Sequence, residues 1–161
     1  MKLDSKKIIS LFTYVEKITD KFLAERVVSV WIDACQQAKN GDILSQIPFF
    51  YKTPQETLIN HTNTVTKIAL SLSDLILLNS FKPVIDKDLL IAACLLHDVD
   101  KVIMQELKSD NTGWQLSNVA EKYTHGILGA EICHKHGLSE NIVELVANHS
   151  IFSKKVPDSY E

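Results

Sequence analysis

No pair of cysteines in this sequence has the spacing of a metal clip or a redox motif. Cys35, Cys94 and Cys133 are far apart and odd in number. That excludes a disulfide framework and reads as buried thiols in a reducing cytoplasm. No uninterrupted apolar run approaches ~18 residues, so no membrane span is expected. No long apolar stretch follows Met1-Lys2-Leu3-Asp4, so a secretory signal is not expected either. An excess of positive charge is also lacking. Lys and Arg number 17 against 20 Asp and Glu, a net charge of −3, and a nucleic-acid duplex would call for a basic footprint. A P-loop, a dinucleotide-binding glycine pattern, a nucleophile elbow, H-E-x-x-H and Cys/His finger spacings are all absent. Any chemistry in this chain has to come from other residues.

The 161 residues, 45% of them hydrophobic, suit one domain over 1–161 with a substantial core. Alternating strand patterns are scarce and helical spacing prevails, which predicts an all-α bundle of about six to seven helices. Helices are expected over 5–20 and 21–38, with Asn40-Gly41 ending the second through a left-handed glycine. Thr53 with Pro54 and Glu56 reads as a capping box for a helix over 54–78, which Phe81-Lys82-Pro83 interrupts. Asp86 or Asp88 is expected to cap the next helix. Residues 108–113 read as a loop, Trp114-Gln115-Leu116 as a short extended piece, and 121–136 and 139–150 as two more helices separated by Gly137.

What distinguishes this bundle is where its histidines fall. The apolar run Leu89-Leu90-Ile91-Ala92-Ala93-Cys94-Leu95-Leu96 ends in His97-Asp98. A buried imidazole beside a carboxylate needs a partner once both lose hydration. A divalent metal accepts a neutral imidazole and an ionised carboxylate together. Adjacent residues point about 100° apart on a helix, so both reach one ion only where the helix ends or bends. His61 falls on an apolar stripe with Val65, Ile68 and Leu72, expected to face the core. His125 stands near Gly129 and Ala130, two small residues that permit close helix packing. His149, like His97, terminates an apolar helix. His134 and His136 read as surface or capping residues near a helix C-terminus.

The order His61, then His97-Asp98, resembles the HD-domain superfamily of metal-dependent phosphohydrolases. LLHDVDK is similar to that family's LLHDxGK, with Asp100 where glycine is usual. HTNTVTKIAL is similar to its first-histidine helix, and THGILGAEI with IVELVANHS to the downstream part of its histidine-rich members. The resemblance covers roughly 54–150, with 5–40 forming N-terminal helices outside it. It implies that His61, His97 and Asp98 bind one metal and that Asp98 bridges to a second held by His125 and His149. One or two divalent ions (Fe, Mn, Zn, Ni or Co) are implied, with Asp98 and Lys101 in the catalytic role and Lys101 contacting a substrate phosphate. The family's last ligand is an aspartate on a helix beyond the final histidine. Here Asp158 is the only aspartate after His149, in a Pro-containing stretch with no helical pattern, so that position is expected to be missing.

The activity implied is hydrolysis of a phosphomonoester or phosphodiester in a small phosphorylated molecule or nucleotide, in the cytoplasm. The alternatives are a non-catalytic binding or regulatory module on the same scaffold and a di-iron oxygenase. A chain lacking the last helix would expose apolar surface, and a homodimer is the expected way to cover it. The cluster Phe49-Phe50-Tyr51, and Trp31 and Trp114, are expected to pack between helices.

Overall fold

The computed structural model describes residues 3–78 and 84–150. Among them are seven α-helices and one two-stranded sheet: α1 Ser5–Leu11, α2 Lys21–Gln37, α3 Leu58–Leu77, α4 Lys87–Leu96, α5 Lys101–Met104, β1 Gln105–Leu107, β2 Trp114–Leu116, α6 Ile127–Lys135 and α7 Glu140–Asn148. The mostly helical architecture matches expectation. No described helix is long and apolar enough to cross a membrane. The expected break at Phe81-Lys82-Pro83 and the residue Asp158 lie outside the described residues.

Helix α4 is central because it is apolar nearly all round, burying Leu90, Ile91, Ala92, Ala93, Leu95 and Leu96. A helix with no polar face has to be enclosed, and α2, α3 and α7 pack around it. Asp86 caps its start, accepting from the N–H groups of Asp88 and Leu89. Asp88 instead accepts from the Thr19 hydroxyl and from the N–H groups of Thr19 and Asp20, which ties the start of α2 to α4. Trp31 of α2 is fully buried, stacks on Phe12 at 4.1 Å between ring centroids, and donates its indole N–H to the Leu95 carbonyl at 3.1 Å. One terminal carbonyl of α4 is thereby satisfied from the core side.

Several expected boundaries are corrected. The first helix stops at Leu11: Phe12 leaves helical geometry (φ −109°, ψ 79°) and a 3-10 turn, Thr13–Lys17, follows. The break turns Phe12 into the core. Helix α2 closes through Ala38 in extended conformation. Gly41 is not left-handed but passes close to Cys35, whose carbonyl oxygen would lie 1.9 Å from any added Cβ. Helix α3 starts at Leu58, four residues later than expected. The Phe49 N–H donates to the Glu56 carbonyl and the Leu58 N–H to the Ile47 carbonyl. These bonds hold 48–57 as a closed loop, and Thr57 rather than Thr53 supplies the cap.

The buried face of α3 is also not the expected one. Leu58, Ile59, Thr62, Thr66 and Ser73 face inward, while Ile68, Leu72 and Leu75 are more than half exposed. The Thr66 hydroxyl returns its bond to the Thr62 carbonyl at 2.8 Å, so Thr66 enters the core at little polar cost, whereas the buried Thr62 hydroxyl has no partner among the described residues. Residues 121–126, expected as the start of a helix, form turns instead, and α6 begins only after Gly126 at φ +89°. A Cβ there would lie 2.9 Å from the Val146 carbonyl oxygen. Trp114–Leu116 is extended as expected, and its partner is Gln105–Leu107 in antiparallel register, which the sequence reading did not anticipate.

Candidate metal centre

The side chain of Asp98, in the turn that follows α4, is only 2% exposed. Its Oδ2 lies 3.1 Å from His97 Nε2 and 3.4 Å from His61 Nε2, and accepts from Lys101 Nζ at 2.9 Å. Its Oδ1 lies 2.9 Å from His125 Nε2 and 3.5 Å from His149 Nε2. Within each pair the rings also meet, at 3.3 Å between the Nε2 atoms of His61 and His97 and 3.1 Å between those of His125 and His149. All five side chains that the sequence singled out therefore converge, as two histidine pairs on the two oxygens of one carboxylate.

The rings are held from behind. His97 Nδ1 donates to the Cys94 carbonyl at 2.7 Å, and His149 Nδ1 to the Val146 carbonyl at 2.7 Å. A carbonyl only accepts, so Nδ1 carries a proton and Nε2 is the nitrogen aimed at Asp98. Each histidine is thus also the C-cap of the apolar helix it terminates, α4 or α7. His125 reaches in from the turn before α6. Its Nδ1 donates to Asp100 Oδ1 at 2.9 Å, and the N–H of Gly126 donates to Asp100 Oδ2 at 2.7 Å. His61, on the first turn of α3, stacks on Phe49 at 3.6 Å between centroids. Its Nδ1 is only loosely backed, 4.0 Å from Glu56.

The two pairs carry charge differently. Burial disfavours the imidazolium of His61 and lowers its pKa to about 4, against the opposing pull of Asp98. Burial works against His125 too, but its hydrogen bonds to Asp100 and Asp98 outweigh it and raise its pKa to about 9. For Asp98, burial alone would favour the neutral acid, yet bonds to His125, His149 and His97 hold the carboxyl well below the ordinary carboxylate range. Imidazole nitrogens and an ionised carboxylate aimed at common points are the donor set of a divalent transition metal. His61, His97 and Asp98 could hold one ion and Asp98, His125 and His149 another, since the donor atoms of each group lie within 4.8 Å of one another.

Lys101 is mostly buried beside Asp98, with its ammonium 3.6 Å from the centre of the Phe49 ring. The aromatic run 49–51 does not pack between helices as expected. Phe49, Phe50 and Tyr51 line a cavity of about 750 Å³ that opens from the histidine pairs. Trp31 is core, as expected, and Trp114 is partly buried against it. His134 is exposed near Glu140, and His136 pairs with Asp33 at 2.8 Å, both away from the cavity. Burial pushes the thiols of Cys35 and Cys133 up to about 12 and that of Cys94 up to about 11, consistent with inert thiols.

Sequence reasoning missed two residues. Asp100 is fully buried and orients His125. The available signal was a second carboxylate two positions after Asp98 in an otherwise apolar stretch. Phe49 touches both His61 and Lys101, and nothing in its local pattern separated it from a packing aromatic.

No curated protein and no solved structure matches the chain. The model of the HD domain matches residues 58–158. That span is more than half of the sequence and holds every side chain that converges on Asp98, so the chain belongs to the HD domain family.

Proposed function

We propose that this chain is a metal-dependent hydrolase of phosphoric esters acting on a small phosphorylated molecule. His61, His97 and Asp98 would hold one divalent ion, and Asp98, His125 and His149 a second. The observation that carries the reading is the approach of two histidine pairs to opposite oxygens of one buried carboxylate, with Lys101 beside it at the cavity wall. When bound, such ions supply Lewis acidity toward a phosphoryl oxygen and toward water.

The chain's own residues do the rest. The Cys94 and Val146 carbonyls fix the His97 and His149 rings, so little reorientation is needed on binding. Asp98 offers one oxygen to each pair. Lys101 supplies a positive charge within reach of both Asp98 and the cavity, and can turn from the carboxylate to a phosphate that enters, stabilising negative charge on the phosphoryl oxygens.

The test is release of p-nitrophenol from p-nitrophenyl phosphate with Mn, Ni or Co supplied. Turnover is expected, with a loss of about 10³-fold or more in His97→Ala while the helical circular dichroism is kept. Bound metal without turnover would favour the binding module. Oxygen consumption dependent on iron, without phosphate release, would favour the oxygenase.

A further inference from the structure

Beyond the histidine end the cavity beside Asp98 is lined largely by apolar side chains, with Gln105, Thr124, Asn148 and Ser150 as the other polar residues in its wall. Phe49, Phe50 and Tyr51 form one side, and Met104, Leu116 and Ile127 contribute to the rest. Phe50, Leu116 and Ile127 remain 42%, 48% and 42% exposed, although each lines the cavity. Large apolar side chains left open around a concavity mark a place where an apolar group is bound. Among the described residues that line it, Lys101 is the one lysine and there is no arginine. That lysine already faces Asp98 at 2.9 Å. One phosphate can be met by Lys101 and the histidine end. A second or third phosphate would find no further lysine or arginine among these described lining residues to replace its hydration; Lys52, 5.6 Å from the centre of the Tyr51 ring, is not one of them.

We infer that the substrate carries a single terminal phosphate on an apolar body, with the body seated between the 49–51 aromatics and Leu116 and Ile127. This rests on the phosphohydrolase reading and narrows it, disfavouring nucleoside di- and triphosphates. The recognition is built from area and shape rather than from paired charges, so it acts chiefly on KM.

The experiment compares 2-phenylethyl phosphate, glycerol 1-phosphate and AMP, whose leaving groups are all alkyl alcohols, so that leaving-group chemistry does not imitate selectivity; ATP, an anhydride with the better leaving group ADP, is the more stringent competitor. With the Mn-loaded chain, kcat/KM for 2-phenylethyl phosphate is expected on the order of 100-fold above that for glycerol 1-phosphate, mostly through KM. AMP and ATP are expected to fall below 2-phenylethyl phosphate. The double variant Leu116→Ser/Ile127→Ser is expected to shrink the phenylethyl-to-glycerol ratio about tenfold. A ratio near one, a preference for AMP or ATP, or an unchanged ratio in the double variant would overturn the inference. Calorimetry of phenylphosphonate and methylphosphonate binding to the same loaded chain reads the apolar wall without any turnover. Phenylphosphonate is expected to bind at least about tenfold more tightly, and equal affinities would overturn the inference. Absence of hydrolysis with every ester, accompanied by that tenfold difference, would reject the hydrolase reading while leaving the apolar subsite in place.

Discussion

His61 and His97 reach Asp98 from the first turn of one long helix and the last turn of another, α3 and α4, which pack directly together. His125 reaches it from a run of turns, and its orientation depends on a buried carboxylate, Asp100, and a glycine at φ +89°. His149, its pair mate, is fixed by the same helix-end device as His97. The contrast extends to charge: the pKa of His61 is depressed to about 4 and that of His125 raised to about 9. One pair therefore offers His61 neutral across the physiological range. The other holds a proton on His125 that a metal must displace. Packed helices give a lobe ready for a cation, whereas the turn-held lobe needs a dedicated partner and remains coupled to pH.

The largest way to break this contrast is to remove that partner. Asp100→Ala frees His125 and leaves the Gly126 N–H without its acceptor. Affinity for the second ion is expected to fall roughly 10- to 100-fold, with the first ion little affected, read by metal titration in two resolved steps. Equal weakening of both steps would show that the lobes are not separately built.

A smaller effect sharpens the contrast through pH. Because the folded pKa of His125 lies above its ordinary 6.5, its charge stabilises the ion-free fold fully below that ordinary value, and the contribution is lost as pH rises through about 9. Metal uptake has the opposite dependence, since it requires the neutral ring. Affinity of the second ion is therefore expected to fall about tenfold per pH unit below 9 on account of His125. Calorimetry in buffers of different ionisation enthalpy should find about one proton released from His125 in the second step and none from His61 in the first.

The same division explains what could be read from the sequence. His97 and His149 were legible because each terminates a strongly apolar helix, and helix ends follow from periodicity. Gly129 was legible as a packing glycine: an added Cβ would sit 3.2 Å from Val99 and 3.3 Å from Val146. Residues 121–126 were misread as helix because their composition lacks a local breaker before Gly126. What stops the helix is a long-range bond from Gly126 to Asp100. The buried face of α3 was misassigned because hydropathy ranks Ile68 and Leu72 above Thr62 and Thr66. Only the hydroxyl-to-carbonyl bond from Thr66 shows how the core tolerates threonine. The role of Phe49 depends on closure of the 48–57 loop through bonds between backbone groups, which side-chain patterns do not encode.

The most direct test is to count the metal ions retained per chain after loading with Mn and desalting, in the natural sequence, His125→Ala and Asp98→Asn. The account predicts two ions, then one, then none, because His125 serves a single lobe and Asp98 serves both. An Asp98→Asn chain that keeps its metal, or a natural chain that retains none, would contradict the claim that one buried carboxylate joins two histidine pairs into a metal centre.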